Sequence, residues 1–354
     1  MTDHPYAALP DRNFWMRTMA AGSLHSINPG DQTERLILPS DKLMTLGSCF
    51  AQHISRHLAR HGNSFLVTEP GSSDLPEQTR KDRGYGVFTA RYGNVYTVRQ
   101  ALQLLRRSFD QIESCGDLWL DDEKVVDPHR PTIEPEGFGS IADLNHDRVR
   151  HLAATRQAFT EADVLVFTLG LTEAWCSKET GLVFPLAPGV SGGEFDASKH
   201  EFVNSSFSET ITDLTHFIQE LRGVNPLIRV ILTVSPVPLA ATFEPRHVLV
   251  STAASKAILR AAADQAARYL EDVSYFPSYE IITAPGLSDR YFDDDLRSVR
   301  SCGVDHVMRV FESTFMRVDT PPHDRQAESA ATFRNDSLER SDIEAVICDE
   351  DRLL

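Results

Sequence analysis

Cys49 stands where a thiol can act as a nucleophile. It belongs to the run Gly47-Ser48-Cys49-Phe50-Ala51, which follows an apolar stretch and opens a helical pattern. Leu43, Met44 and Leu46 read as a short buried strand. Phe50, Ile54 and Leu58 then recur at every fourth position, one face of a helix. Cys49 therefore falls where a strand turns into a helix N-terminus. The backbone N–H groups and helix dipole there favour negative charge, and a thiol so placed loses its proton more readily. Gly47 lets the turn be tight and lets a substrate approach the backbone. The competing reading is packing, since free cysteine is among the most buried residue types. The order strand, glycine, small polar residue, cysteine, helix favours reactivity, because it is the logic of a nucleophile turn.

Other residues suggest supporting roles. Gly170-Leu171-Thr172-Glu173-Ala174-Trp175 follows an apolar run, and its glycine and hydroxyl can supply part of an oxyanion hole. The alternative is a helix N-terminus capped by Thr172. Ser235-Pro236-Val237-Pro238 follows a third apolar run, with prolines that stop a strand. His247 is a candidate general base, because imidazole titrates near neutrality, but it is one of 13 histidines. His53, His57 and His61 share a helix stripe that flanks the apolar face, without an H-E-x-x-H signature, and no metal site is expected. Asp293-Asp294-Asp295 reads as a solvated loop.

These residues need a scaffold. The chain has 354 residues, of which 41% are hydrophobic and 24% charged, enough for a large core in a soluble globular protein. A formal net charge of -16 argues against unaided binding to nucleic acid or anionic membranes. Met1 to Arg17 lacks the apolar centre of a signal peptide, and no stretch has the length of a membrane span. The five scattered cysteines, with no C-x-x-C pair, fit a reducing cytoplasm.

Short apolar, mostly β-branched runs at 42–46, 164–167, 230–233, and either 273–275 or 281–282 predict strands covered on both faces. Helical patterns over 98–109, 148–161, 209–222, 253–270 and 303–315 alternate with them. The alternation predicts an α/β fold with a mainly parallel, doubly wound sheet and a site beyond the carboxyl ends of its strands. Residues 1–40 read as an N-terminal arm, 41–317 as the main domain with 66–147 as a loop or cap insertion, and 318–354 as a linker and docking tail. The apolar residues in 341–354 suit self-docking or a protein partner.

Together the motifs resemble the GSCFA family, assigned to the SGNH (GDSL-like) hydrolases with their three-layer α/β/α sandwich. The name-giving run is Gly47 to Ala51. Likeness continues at Tyr92-Gly93-Asn94-Val95-Tyr96, Leu169-Gly170, Ser235-Pro236-Val237, Arg246-His247, Ser255-Lys256-Ala257 and Tyr275 to Ile281. The resemblance implies that Cys49 takes the nucleophile position, with Ser48 as the lesser candidate. It implies that the Gly93 N–H binds an oxyanion, with Asn94 beside it. Thr172 replaces the superfamily's asparagine donor, and Glu173 would orient a neighbour. The superfamily's final D-x-x-H is broken. Asp294 or Asp295 can remain as the acid, but Arg297 or Ser298 stands where histidine is expected. The base must then be His247, or else His129 or His306.

The leading expectation is acyl-ester chemistry on a carbohydrate or polysaccharide precursor, as O-acetyltransferase or esterase. It requires no cofactor, and acetyl-CoA is a candidate acyl donor. The alternative is a non-catalytic binding module that kept the fold and lost the base.

Overall fold

The computed structural model describes residues 4–20, 24–30, 37–60, 65–112, 118–121, 124–316 and 348–353. In chain order its helices are α1 (Trp15–Thr18), α2 (Phe50–Arg60), α3 (Glu77–Asp82), α4 (Val98–Ser108), α5 (Ile141–Glu161), α6 (Phe207–Val224), α7 (Val248–Tyr269), α8 (Ser278–Thr283), α9 (Ser288–Tyr291) and α10 (Ser301–Phe315). The strands are β1 (Leu43–Gly47), β2 (Trp119–Asp121), β3 (Lys124–Val126), β4 (Val164–Leu169), β5 (Glu173–Ser177), β6 (Val183–Phe184), β7 (His200–Asn204), β8 (Arg229–Val234) and β9 (Val273–Phe276). Contacts divide the chain into two units: residues 1–36 with 277–343, and residues 37–276 with 344–354. The first residues group with the stretch from Pro277 onward, and the last group with the sheet.

The sheet unit is built on four parallel strands in the order β1-β4-β8-β9. Val164, Leu165, Val166 and Phe167 are wholly buried, as are Val230, Ile231 and Leu232. Burial on both faces explains why these strands are continuously apolar rather than alternating. Leu43 also forms a parallel bridge to Phe65, and the Leu66 amide donates to the Leu43 carbonyl at 2.9 Å. The row of backbone therefore extends past β1 on the side away from β4. From β1 the chain crosses through α2 toward Phe65, whereas from β8 it crosses through α7 to β9 in the opposite lateral direction. Right-handed crossovers running in opposite directions put their helices on opposite faces. The fold is thus α/β, a mainly parallel, doubly wound sheet between helical layers. Its strand order reverses between β1 and β4.

Local chemistry sets the helix starts. The Thr97 hydroxyl accepts from the Gln100 amide to begin α4, and the Ser140 hydroxyl from Asp143 to begin α5. Ser206 and Glu209 form a reciprocal capping box on α6. The α4 helix packs on α5 and α6. The segment 66–147, expected as loop or cap, therefore contributes a helix to this unit's helical packing.

A buried charge network secures the rest of that segment. Arg91, wholly buried, donates to Asp147 at 3.0 Å and Glu134 at 2.5 Å and stacks on Tyr85. Arg130 bridges Asp127 and Asp147, Arg148 binds Asp127, and His151 meets Glu69 at 3.0 Å.

The pair 281–282 lies in α8, so 273–276 is the edge strand. Gly170 to Trp175 begins no helix. It leads into β5, which pairs antiparallel with β6 and β7.

Candidate active site

The turn at Cys49 follows from close backbone packing. Gly47 has φ +136, and a Cβ there would lie 2.2 Å from the Thr168 carbonyl oxygen. Only glycine lets β1 end so close to β4. The Ser48 amide donates to that same carbonyl at 3.2 Å. The Ser48 and Cys49 carbonyls then accept from Ala51 and Gln52, starting α2. Cys49 thus immediately precedes α2, beyond the carboxyl end of β1. That is the switch-point edge where open α/β sheets place ligands. Both side chains are buried, Cys49 at 4% and Ser48 at 3% exposure. The Ser48 hydroxyl has no hydrogen-bond partner among the described residues.

Residues 93–96 form the neighbouring wall. The Val95 amide donates to the Gly47 carbonyl at 2.8 Å, tying this wall to the turn. Gly93 adopts φ +69. The Asn94 side chain accepts from Gln52 Nε2 and donates through Nδ2 to the Asp349 carboxylate, both at 3.0 Å. Thr132 donates to the other Asp349 oxygen at 2.8 Å. The Tyr96 hydroxyl accepts from the Asp349 amide at 3.2 Å. Burial raises the Asp349 carboxyl above its ordinary value, although these donors partly oppose the shift. Burial also pushes the Tyr96 hydroxyl well up, and negative charge at Asp349, Cys348, Cys49 and Glu350 adds to the effect. These groups therefore share one electrostatic neighbourhood.

The exit of β4 closes the opposite side. A Cβ on Gly170 would meet Ser48 Cβ at 2.9 Å and the Tyr96 carbonyl at 3.0 Å. The Gly170 amide donates to that Tyr96 carbonyl, and its own carbonyl accepts from the buried Lys256 ammonium at 2.8 Å. Thr172 donates through its amide to Ser255 and through its hydroxyl to Asn204. Both Thr172 donors thus have partners within the protein. Glu173 accepts from the Thr242 hydroxyl and the Phe243 amide, and burial raises its carboxyl. The Ser235 hydroxyl accepts from Val237 in the loop after β8.

Each candidate base has partners of its own. His247 is the N-cap of α7, and its Nδ1 accepts from the Leu249 amide at 3.1 Å. A neutral ring with that bond carries its proton on Nε2. His129 Nδ1 faces the Val183 carbonyl at 3.3 Å, and burial holds the ring well below the usual imidazole range. In the other unit, His306 meets the Ile27 carbonyl through Nε2 and the Tyr291 hydroxyl through Nδ1, both at 2.7 Å. Asp294 and Asp295 also lie in that unit. Asp294 pairs with Arg300 at 3.1 Å. Asp295 accepts from the Ser298 hydroxyl and the Arg297 and Ser298 amides. Burial opposes ionisation of Asp295, but these donors outweigh it and hold the carboxyl low.

The structure brings together Ser48, Cys49, Asn94 and Gly170 from the sequence-derived set. It adds Gln52, Tyr96, Thr132 and Asp349. Tyr96 is visible only as part of the Tyr92–Tyr96 motif, and nothing local marks Asp349. Among the described residues no His, Cys, Asp or Glu side chains converge as a metal-binding set, and no helix is long and apolar enough to cross a membrane.

Residues 42–311 match the GSCFA family, and the chain belongs to it. No curated protein matches the chain. Among solved structures, it is similar to an acetyl esterase crystallised as a serine-to-alanine mutant with an acetate ion. The identity is 13%, with 82% of this chain and 99% of that one covered, at a TM-score of 0.34. It is also similar to an acetyl xylan esterase from the rumen bacterium Butyrivibrio proteoclasticus. There the identity is 12%, with 69% of this chain and 57% of that one covered, at a TM-score of 0.27.

Proposed function

We propose that the protein carries out acyl-ester chemistry through Cys49, as an O-acyltransferase or esterase acting on a carbohydrate or polysaccharide precursor in the cytoplasm. One observation carries this reading: the Gly47-Ser48-Cys49 turn sits at the carboxyl end of β1, before α2, where the strand order reverses. Membership of the GSCFA family and the doubly wound α/β sheet support this reading. The Cys49 thiol gives its proton to a histidine, His247 being the first candidate. The thiolate adds to an ester or thioester carbonyl, and the intermediate expels the alcohol or thiol, which takes that proton, leaving an acyl-cysteine. Acetyl-CoA is the proposed donor for transfer, and no resident cofactor is required. The Gly93 amide and the Asn94 side chain are the oxyanion donors, placed on the wall that the Val95–Gly47 bond ties to the turn. An acyl-cysteine is itself a thioester, so it can pass its acyl group to a sugar hydroxyl or to water.

Acetyl-CoA supplied with and without sugar acceptors tests the reading. Release of CoA that needs an acceptor supports transfer, and release without one supports hydrolysis. Acetyl-CoA and acetylated sugars both left intact, with no acyl group on Cys49, would reject both.

A second reading is a binding module that no longer turns over. It is favoured by one observation: His247 and His306 engage ring nitrogens in capping and packing bonds.

A further inference from the structure

The carboxyl-terminal stretch occupies the site described above. Asp349 lies in a short turn of helix, Asp349–Leu353, and is 2% exposed. One of its oxygens accepts from Asn94 Nδ2 at 3.0 Å and from the Tyr96 hydroxyl at 3.4 Å. The other accepts from the Thr132 hydroxyl at 2.8 Å. Beside it, a Glu350 oxygen accepts from the Ala240 amide at 3.4 Å, and Arg352 donates to Ser191. The stretch therefore spans the wall after β1 and the loop after β8. Cys49, Asn94 and Tyr96 are all buried.

We propose that residues 348–353 are a removable internal plug, in which the Asp349 carboxylate occupies a subsite built to receive the oxygen atoms of an acyl or carboxylate ligand. Three neutral donors converge on one carboxylate, the arrangement that binds a carboxylate product or a developing oxyanion. A packing role alone needs no acid here, because burying a carboxyl is costly even when it is hydrogen-bonded. The contact is made by a single turn of chain, and Asp351, Arg352 and Leu353 are exposed. Release of the turn frees the Asn94 Nδ2 and Tyr96 hydroxyl donors for a ligand. The plug stands on its own contacts, whereas the acyl nature of the ligand rests on the proposed function.

Iodoacetamide labelling of the full-length chain, read residue by residue by mass spectrometry, tests the plug without relying on turnover. Asp349→Ala should speed labelling of Cys49 by about tenfold or more, as expected when a local closed state is opened. Labelling of Cys176, buried in β5, should not change. A synthetic peptide of residues 344–354 carrying Cys348→Ser should restore slow labelling of Cys49 in the D349A chain. Sodium acetate should slow it in D349A and have little effect in the wild type. Equal Cys49 rates in wild type and D349A overturn the plug. A joint rise at Cys49 and Cys176 that the peptide does not reverse also overturns it, since the contact would then be part of the fold. Protection by peptide but not by acetate retains the plug and overturns the carboxylate subsite. Absence of ester turnover in both chains bears on the acyl reading alone.

Discussion

Asn94 and Asp349 meet at 3.0 Å although 255 positions separate them in the chain. The bond joins the wall beside Cys49 to the short helical turn Asp349–Leu353. Asn94 is also held by Gln52 from α2, so the turn, the wall and the tail form one polar chain.

Removing the middle of that chain has a cost. Asn94→Ala deletes an acceptor for Gln52 and a donor to a buried carboxylate. A loss of about 1–3 kcal/mol is expected for a disrupted buried polar contact of this kind. Urea denaturation of N94A against wild type measures it. An unchanged midpoint would show that the bond contributes nothing net.

The Cys49 turn should be intolerant at two glycines. Gly47→Ala places a Cβ against the Thr168 carbonyl at a backbone conformation that side chains rarely adopt. Strain of about 1–3 kcal/mol, plus displacement of β1 from β4, should lower the melting temperature and disturb Cys49. Gly170→Ala meets Ser48 and Tyr96 and should affect Cys49 labelling with a smaller loss of stability. Wild-type melting and labelling in G47A would contradict the described packing.

Much of the scaffold was legible, because strands covered on both faces and amphipathic helices write their pattern locally. Val164–Leu169 and Arg229–Val234 are examples. The antiparallel sheet of β5, β6 and β7 is not legible in the same way. The five-residue turn through Gly181 joins β5 to β6, but β6 has two residues and β7 returns only at His200, so neither carries a period. The Phe65 bridge is too short to carry a period. That His247 caps α7 through Nδ1 is likewise not visible in residue type alone. Asp349 was invisible because its partners are set entirely by long-range folding.

Acid should destabilise the chain in two stages. Burial and the Arg130 charge lower the His151 imidazole to about 4, against partial opposition from Glu69. Burial works to raise the Glu69 carboxyl, but the His151 hydrogen bond and nearby positive charge outweigh it and hold it at about 2. Both groups bind protons less tightly when folded, so the unfolded chain protonates first. Stability present above the ordinary imidazole value of 6.5 is lost as pH falls toward about 4. A further part is lost below the ordinary carboxyl value of 4.5 as pH falls toward about 2. Melting temperature against pH checks this, and His151→Gln should flatten the upper stage. A melting temperature that rises on acidification would contradict the sign.

Arg91→Met should be among the most damaging substitutions outside the Cys49 turn. It leaves Asp147 and Glu134 without the buried guanidinium that joins them. A loss of about 3–5 kcal/mol is expected when one partner of a buried ion pair is removed. Denaturant unfolding measures it, and a near-neutral change would show that solvent reaches those carboxylates.

The central claim is that Cys49 carries an acyl group. Intact-protein and peptide mass spectrometry after exposure to acetyl-CoA or an activated acetyl ester, in wild type and D349A, tests it most directly. The account predicts one acetyl group on Cys49, more in D349A than in wild type, and none at that site in Cys49→Ala, while Cys302→Ala behaves as wild type. An unmodified Cys49 in both chains, or equal ester turnover in C49A, would contradict it.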